Sequence, residues 1–362
     1  MSDKQDLTIH QIFEKLKDIH DPLTGYGFVD NQLLKDIQVK KGKISMTLVS
    51  MIHSHPHLDQ IKSEISQKLI GLNGVTGVDV DVVVDVPKDS RLIRTGNSNI
   101  KTLIAVASGK GGVGKSTISV NLAVILSQMG AKVGLMDADV YGPNIPMMMG
   151  VDQLPTQSGD GGIIPAEAYG VKMISIGFMV RPDQPIVWRG PMLHSAIQQF
   201  VRDVAWGDLD YLVVDLPPGT GDAQLSLAQT ISITGGVIVT LPQQVSLEDA
   251  RRGLEMFRQL DIPIIGVTEN MSYLELPDGQ LMDVFGSGGG EKLAGAAQVK
   301  FLGAVPMDPA VREGGDAGKP ISVSHPDSKV TLALKNISTI VALDTGLIAL
   351  QSQKDSLSIN IS

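Results

Sequence analysis

Residues 108–117 read Ser-Gly-Lys-Gly-Gly-Val-Gly-Lys-Ser-Thr and contain the pattern G-x-x-x-x-G-K-[ST] of a phosphate-binding loop. In such a loop the glycines let backbone N–H groups converge on a polyphosphate, Lys115 supplies a cation, and Ser116 supplies a hydroxyl for Mg²⁺. The flanking residues have the strand-loop-helix order that such a loop requires, because residues 102–107 are predicted to form a strand and residues 117–126 an amphipathic helix. We therefore expect nucleoside triphosphate binding. The predicted contacts are Gly109, Lys110, Gly111, Gly112, Val113, Gly114, Lys115, Ser116 and Thr117.

Composition excludes several classes of protein. A net charge of -9 and 4% aromatic residues argue against a nucleic-acid partner. The polar start, residues 1–6, lacks the apolar stretch of a secretory signal, and no apolar run approaches the ~20 residues of a membrane helix. We expect a soluble, cytoplasmic protein without a membrane partner. The absence of cysteine excludes disulfides and thiolate-ligated metal sites.

The chain of 362 residues suggests about two domains. Residues 1–87 predict a small α/β domain, with helices at 7–19 and 58–70 and strands at 34–39, 43–49 and 78–86. Residues 88–99 are predicted to be a linker, residues 100–350 an ATPase domain, and residues 351–362 a C-terminal tail.

Strands and helices alternate along the second domain, which predicts a mostly parallel sheet with helices on both faces. Ligands of such sheets bind at the carboxyl ends of the strands, where the phosphate loop already lies. Residues 246–249 form a capping-box pattern, read as the start of a helix. The predicted strands cover residues 102–107, 132–136, 211–214, 236–240, 263–267 and 300–304.

Carboxylates at strand ends predict the rest of the site. Asp215 closes an apolar strand, where it can hold Mg²⁺ through water, and the following turn at 216–222 can sense the γ-phosphate. Asp137 and Asp139 follow another strand, so that one can approach the metal and the other can orient the attacking water. The predicted magnesium ligands are therefore Ser116, Asp137 and Asp215. Each aspartate taken alone would also suit a helix N-cap.

Lys110 is a second lysine inside the loop, beyond what phosphate binding needs. Either it is solvated, or it reaches a nucleotide across a subunit interface. The second reading predicts an active face-to-face homodimer whose opening is controlled by hydrolysis.

Together these residues resemble the deviant phosphate-loop ATPases, the group that includes nitrogenase iron protein, the division-site protein MinD and arsenite-pump ATPases. Within that group, residues 206–222 resemble the long signature of the Mrp/ApbC family of iron-sulfur cluster carriers. The segments 137–144, 188–192 and 269–273 are similar to further family segments, so the resemblance covers residues 99–345. Residues 21–22, 25–30 and 74–78 resemble the small domain of iron-sulfur assembly factors.

The resemblance implies Mg²⁺-dependent ATP hydrolysis and delivery of iron-sulfur clusters to apo-proteins. It makes Lys110, Lys115 and Asp139 catalytic, with Lys110 acting across a dimer and Asp139 positioning water, and it makes Asn270 an adenine contact. From the sequence alone, Asn270 would be only a turn residue.

One departure from the family concerns its C-x-x-C pair, which bridges a [4Fe-4S] cluster between subunits. Those positions fall on Leu276 and Gly279, and neither side chain can ligate iron. Substitute ligands would have to come from His53, His55 and His57, or from the carboxylates of Glu275 and Asp278. Carboxylates, however, suit Mg²⁺ better than iron-sulfide.

Three functional hypotheses remain. The first is an ATP-dependent iron-sulfur carrier or assembly factor that either works through a partner's thiols or holds the cluster atypically. The second is a cluster-free dimeric ATPase switch that recruits and releases protein partners. The third is a membrane-surface ATPase like MinD. Membrane binding of that kind requires a basic amphipathic C-terminal helix, and residues 344–362 contain one lysine and no arginine, which argues strongly against it.

Overall fold

The structure is a computed structural model that describes residues 7–94, 99–152, 154–157, 162–179 and 190–359. The chain forms two compact units, Met1–Val86 and Pro87–Ser362. Trp188 and Arg189, which belong to one family-like segment, lie outside the described residues, as do residues 95–98 of the expected linker and residues 360–362 of the expected tail.

The first unit contains a three-stranded sheet in the order β1-β2-β3 and two helices, of which α2 packs against β3 and α1. Strands β1 and β2 pair antiparallel, whereas β2 and β3 pair parallel. Buried residues recur at helical spacing, at positions 61, 65 and 69 of α2, which explains why this segment folds as a helix. The elements are α1 (Ile9–Leu16), β1 (Leu34–Lys40), β2 (Lys43–Ser50), α2 (Leu58–Ile70) and β3 (Gly77–Val84).

The second unit is built on an eight-stranded sheet in the order β15-β12-β11-β4-β10-β5-β9-β8, parallel throughout except for the β8–β9 pair. Its strands are β4 (Ile100–Ser108), β5 (Val133–Asp137), β8 (Ala166–Ala168), β9 (Val171–Ser175), β10 (Leu209–Asp215), β11 (Gly235–Thr240), β12 (Ile264–Glu269) and β15 (Phe301–Ala304). Two small antiparallel pairs add β6 (Thr156–Gln157) with β7 (Ile163–Ile164) and β13 (Leu274–Glu275) with β14 (Leu281–Met282). Every residue of β10 and β11 is buried, so both faces of the central sheet are covered, as expected.

The helices of this unit connect and cover the strands. They are α3 (Ser90–Arg94), α4 (Lys115–Gln128), α5 (Ile145–Met148), α6 (Gly190–Arg202), α7 (Asp222–Thr230), α8 (Gln244–Gln259), α9 (Gly289–Ala296), α10 (Pro309–Asp316), α11 (Ile321–Ser324) and α12 (Lys329–Ile359), with a 3₁₀ turn at Ile176–Met179.

Helix α4 differs from its predicted form. The expected helix is amphipathic, but every residue from Ile118 to Leu126 is buried. The cause is tertiary, because α4 contacts β4, β5 and β10 of the sheet and is covered by α11 and α12. The helix that carries the phosphate loop is therefore a core element without a wet face.

The prediction of a capping box at residues 246–249 is also wrong. Helix α8 begins at Gln244 after an extended Gln243, so Ser246 lies inside the first turn. Its side chain is buried, and its hydroxyl has no hydrogen-bond partner among the residues that the structure describes.

The described residues of the expected linker and tail belong to the second unit. Asp89 is buried and binds the Arg91 guanidinium, with Arg91 Nη2 2.7 Å from Asp89 Oδ2. The Ser90 hydroxyl donates to the carbonyl of Ser352, and Gln353 donates to the carbonyl of Lys88. Residues 88–94 thus pack on α12, which continues through the predicted tail to Ile359.

Helix α12 is also, by length and composition, the one described helix that could cross a membrane, over Lys329–Ser356. However, 61% of its apolar window is buried inside the protein. Contacts with α4, β12 and β15 explain that burial, so α12 is a core helix.

Candidate functional site

The phosphate loop connects β4 to α4 at the centre of the sheet. Gly112 and Gly114 have φ angles of 80° and 82°, a region that favours glycine. A Cβ on Gly109 would lie 2.1 Å from the carbonyl carbon of Asp249 in α8, so the loop rests directly on that helix. The sequence therefore needs glycine here for fit as well as for backbone freedom.

The fully buried carboxylate of Asp215 is the centre of the site. Its Oδ2 lies 2.6 Å from Lys115 Nζ and accepts a hydrogen bond from Ser116 Oγ at 2.7 Å. Its Oδ1 accepts from Ser119 Oγ at 2.6 Å. The structure thus brings together the three residues that the sequence singled out, Lys115, Ser116 and Asp215.

Ser119 was not anticipated from the sequence. It lies three residues after Ser116, so both hydroxyls face the same side of α4 and both reach Asp215. A pair of hydroxyl residues at this spacing, directly after a phosphate loop, is the signal that would have identified it.

Asp139 lies beside the phosphate-loop lysine. Its Oδ2 is 3.6 Å from Lys115 Nζ, and its Oδ1 accepts from the backbone N–H groups of Tyr141 and Gly142. The side chain is 10% exposed, so one edge of the carboxylate faces solvent. A carboxylate held in this way can accept a hydrogen bond from a water molecule near the phosphates.

Asp137 is more deeply placed than Asp139. Its Oδ2 accepts from Ser175 Oγ at 2.8 Å, and its Oδ1 accepts from the backbone of Asp139 at 3.2 Å. Burial, followed by the neighbouring Asp215 carboxylate, raises the pKa of Asp137 to about 7, although the Ser175 hydroxyl opposes the shift. Sequence reasoning missed Ser175, because only the β5–β9 pairing brings it to Asp137.

The turn after β10 is bound to the start of the phosphate loop, since Gly219 N donates to the carbonyl of Ser108 at 2.9 Å. This contact places residues 216–219 of the predicted γ-phosphate-sensing turn beside the loop. Lys110 lies in the same loop, is half-buried, and forms no salt bridge with a residue of the described chain.

Asn270 lies against the loop from the other side. Its Nδ2 donates to the carbonyl of Val113 at 2.9 Å. It also lines a cavity of about 650 Å³ with Thr117, Asn144, Pro306 and Asp308. The cavity opens beside the N-terminus of α4, where a nucleoside attached to loop-bound phosphates would lie.

The substitute iron ligands are engaged elsewhere. His55 Nε2 lies 2.8 Å from Asp21 Oδ2, and both side chains are buried. Glu275 pairs with Lys329 at 2.5 Å, and Asp278 Oδ1 accepts from Gln280 N. Over the described ranges, no group of three or more His, Cys, Asp or Glu side chains is placed to hold a metal ion. The structure therefore does not support the hypothesis of a metal site at His53, His55 and His57.

Two family models match the chain. Residues 99–342 match the model described as NUBPL iron-transfer P-loop NTPase, and residues 9–82 match the model described as iron-sulfur cluster assembly protein. The matches confirm the resemblance that the motifs predict for each half of the chain.

Curated relatives cover nearly the whole chain. The iron-sulfur cluster carrier protein of Synechocystis is 46% identical over 352 residues, which is 95% of this chain and 99% of that protein. The iron-sulfur cluster carrier protein of Escherichia coli K12 is 42% identical over 291 residues, which is 80% of this chain and 79% of that protein.

Two solved structures match part of the chain. A nucleotide-binding protein from Archaeoglobus fulgidus, solved in complex with ADP, is 35% identical with a TM-score of 0.57 and covers 66% of this chain and 93% of its own. The cell division ATPase MinD of Pyrococcus furiosus, 22% identical with a TM-score of 0.53, covers 66% of this chain and 98% of its own and supports the fold alone.

Proposed function

This chain belongs to the NUBPL family of iron-transfer P-loop NTPases, and we propose that it is an ATP-hydrolysing iron-sulfur cluster carrier or assembly factor. The observation that carries the proposal is the Asp215 carboxylate, which binds Lys115, Ser116 and Ser119 at the start of α4. This arrangement holds the phosphate-binding groups in place before a nucleotide arrives.

The donor set at this point fits Mg²⁺. The Ser116 hydroxyl and the Asp215 carboxylate are hard oxygen ligands, and Mg²⁺ commonly takes few protein ligands and keeps several waters. When bound there, Mg²⁺ would neutralise charge that develops on the phosphates. Asp137, which lies beside Asp215 in the paired strands β5 and β10, would be the third oxygen ligand of the predicted set.

The chain's own groups perform the remaining tasks. Backbone N–H groups of residues 109–114 bind phosphate oxygens, and Lys115 exchanges its bond with Asp215 for one with the outer phosphates. Asp139 accepts a hydrogen bond from the attacking water and so orients it. Asn270, next to the 650 Å³ cavity, contacts the adenine.

The cluster is cargo, and this chain brings no thiolate to it. We propose that the cysteines come from the protein that delivers or receives the cluster. The chain alone then retains no stable cluster, and ATP controls its association with apo-proteins in the cytoplasm.

A cluster-free ATPase switch is the second candidate. It is favoured by the turn at residues 276–280, which is closed by its own backbone hydrogen bonds at the family's cysteine positions. It needs no group that this chain lacks.

Anaerobic reconstitution with iron and sulfide tests the cargo proposal. The purified chain should retain no iron after desalting, whereas the double variant Leu276→Cys/Gly279→Cys, the matched control, should retain about four iron atoms per dimer and show charge-transfer absorption. Adding an apo-protein with a C-x-x-C pair to the unsubstituted chain should yield a cluster whose transfer depends on ATP.

The result separates the two candidates. A cluster on the unsubstituted chain alone would contradict the missing-ligand argument. ATP hydrolysis without any effect on cluster transfer to the apo-protein would favour the cluster-free switch.

A further inference from the structure

The buried carboxylate of Glu269 lies one residue before Asn270, which contacts the phosphate loop, and near the start of the segment that carries β13 and β14. Glu269 is the last residue of β12 and is fully buried. Its Oε1 accepts from Ser272 Oγ at 2.5 Å and from Gly288 N at 3.1 Å, and its Oε2 accepts from Gly290 N at 2.6 Å. Gly290 lies in the first turn of α9, whose N-terminus favours a negative charge.

These three donors come from both ends of one excursion of the chain. Ser272 precedes the hairpin, whereas Gly288 and Gly290 follow it, so one carboxylate closes the neck of residues 273–287. The excursion carries exposed apolar side chains, Leu281, Met282 and Val284, which are 62%, 48% and 43% exposed. Glu269 is therefore one of three anchors of this excursion, beside the Glu275–Lys329 ion pair and the bond from Met307 N to the carbonyl of Tyr273.

The next residue in the chain binds the phosphate loop. Asn270 Nδ2 donates to the carbonyl of Val113, and Asn270 N donates to the carbonyl of Thr240 at 2.8 Å. Contact is close, since a Cβ on Gly114 would lie 2.2 Å from Asn270 Nδ2. Any shift of Val113 when phosphate binds would therefore be transmitted to Asn270.

The backbone is strained at Met271, which lies between Asn270 and Ser272. Met271 has a φ of 50°, in the left-handed region that a residue with a side chain rarely adopts. The conformation is held by the bonds of Glu269 and by Ser272 N, which donates to the carbonyl of Val305 at 3.0 Å. The surrounding hydrogen bonds therefore hold this turn in its strained conformation.

We propose that Glu269 is a positioning residue that couples the nucleotide state of the phosphate loop to the hairpin at residues 274–282. The inference rests on the proposed ATP binding and adds the route by which binding reaches this surface. The coupling runs from Val113 through Asn270 to Glu269, and from its carboxylate to both ends of the hairpin.

The lack of cysteine makes the test direct, because one introduced thiol can be labelled without background. In the full-length variant Leu281→Cys carrying a nitroxide, Mg²⁺ and a non-hydrolysable ATP analogue should change the mobility of the spin label. Adding Glu269→Gln, which removes the charge but keeps the shape, should abolish that change. Nucleotide affinity, measured by calorimetry on the same protein, should stay within about threefold, below the tenfold typical of a lost charged hydrogen bond.

Glu291→Gln is the matched control. Glu291 lies in the same first turn of α9 but is exposed, so its substitution removes an equal charge without touching the neck. This variant should keep the full response of the label. If Glu269→Gln does not fold, Ser272→Ala, which deletes one of the three hydrogen bonds, should still reduce the response.

Two outcomes would overturn the inference. One is that the nucleotide binds to the Leu281→Cys protein without changing the mobility of the label. The other is that the label still responds after Glu269→Gln is added, or after Ser272→Ala is added if the Glu269→Gln protein does not fold. A Leu281→Cys protein that binds no nucleotide would instead refute the proposed function, and the inference with it.

Discussion

At the scale of single residues, the site depends on one buried charge that is compensated inside the protein. Asp215 is fully buried, and Lys115, 6% exposed, is the cation next to it. A buried carboxylate without its cation costs several kcal/mol of stability. The same lysine therefore stabilises the nucleotide-free fold and is available to phosphate once ATP arrives.

Lys115→Ala should abolish ATP binding and lower the free energy of unfolding by about 3 kcal/mol, because Asp215 would lose its cation while remaining buried. Calorimetric titration and urea unfolding would measure the two effects. Lys110→Ala, in the same loop but unpaired with the described residues, is the matched control and should leave both quantities unchanged. Normal ATP affinity in the Lys115 variant would refute the site.

Sequence reasoning identified the residues whose type and spacing form a local pattern. Lys115 and Ser116 belong to a contiguous motif, and Asp215 closes a recognisable apolar strand. Sequence reasoning did not identify Ser175 or Glu269. Ser175 reaches Asp137 only through strand pairing, and Glu269 binds the N-terminus of a helix that is distant in the sequence. Asn270 shows the limit of what a local sequence pattern can predict, since its contact with Val113 joins residues 157 positions apart.

At the scale of elements, apolar runs located six of the eight strands of the large sheet, because a buried parallel strand is a continuous apolar run, but they did not locate β8 and β9. The predicted amphipathic pattern was wrong for α4, because α11 and α12 cover this helix in the tertiary structure. Sequence reasoning also failed at residues 88–94, where polar composition suggested a linker. There the polar groups of Asp89, Ser90 and Arg91 find partners inside the second unit.

The segment at 88–94 gives a pH-dependent prediction. Burial alone would raise the pKa of Asp89, but hydrogen bonds and the charge of Arg91 hold it below its usual range. Because the folded pKa lies below the unfolded value of about 4, the contribution of Asp89 is complete at neutral pH and is lost as pH falls through the folded pKa. Asp89→Asn should therefore cost about 2 kcal/mol at pH 7 and progressively less in acid.

Urea unfolding of the wild type and of Asp89→Asn between pH 7 and pH 3 checks this. The exposed Asp208, changed to Asn, is the control and should cost little at any pH. A cost for Asp89→Asn that does not change with pH would mean that the carboxylate charge is irrelevant to the docking of α3.

At the scale of the whole molecule, the two units carry separate family matches, one to an assembly factor and one to a P-loop NTPase. The fold of each was predictable, because each contains its own apolar pattern. Cargo was less predictable, since the missing cysteines remove the residues that would define it. Function at this scale depends on what a second chain contributes.

Lys110→Ala should preserve ATP binding but slow hydrolysis and abolish ATP-dependent dimerisation, because the proposed target of its ammonium group is the nucleotide of the partner subunit. Within its own chain the described residues give Lys110 no salt bridge, while Lys115 already serves the phosphates. Sedimentation velocity with and without ATP, alongside a phosphate-release assay, measures both effects. Lys110→Arg, which keeps the charge, should retain part of the dimerisation. A variant Lys110→Ala that dimerises with ATP like the wild type would show that the lysine acts within its own subunit or in solvent, and the face-to-face arrangement would then need another contact to support it.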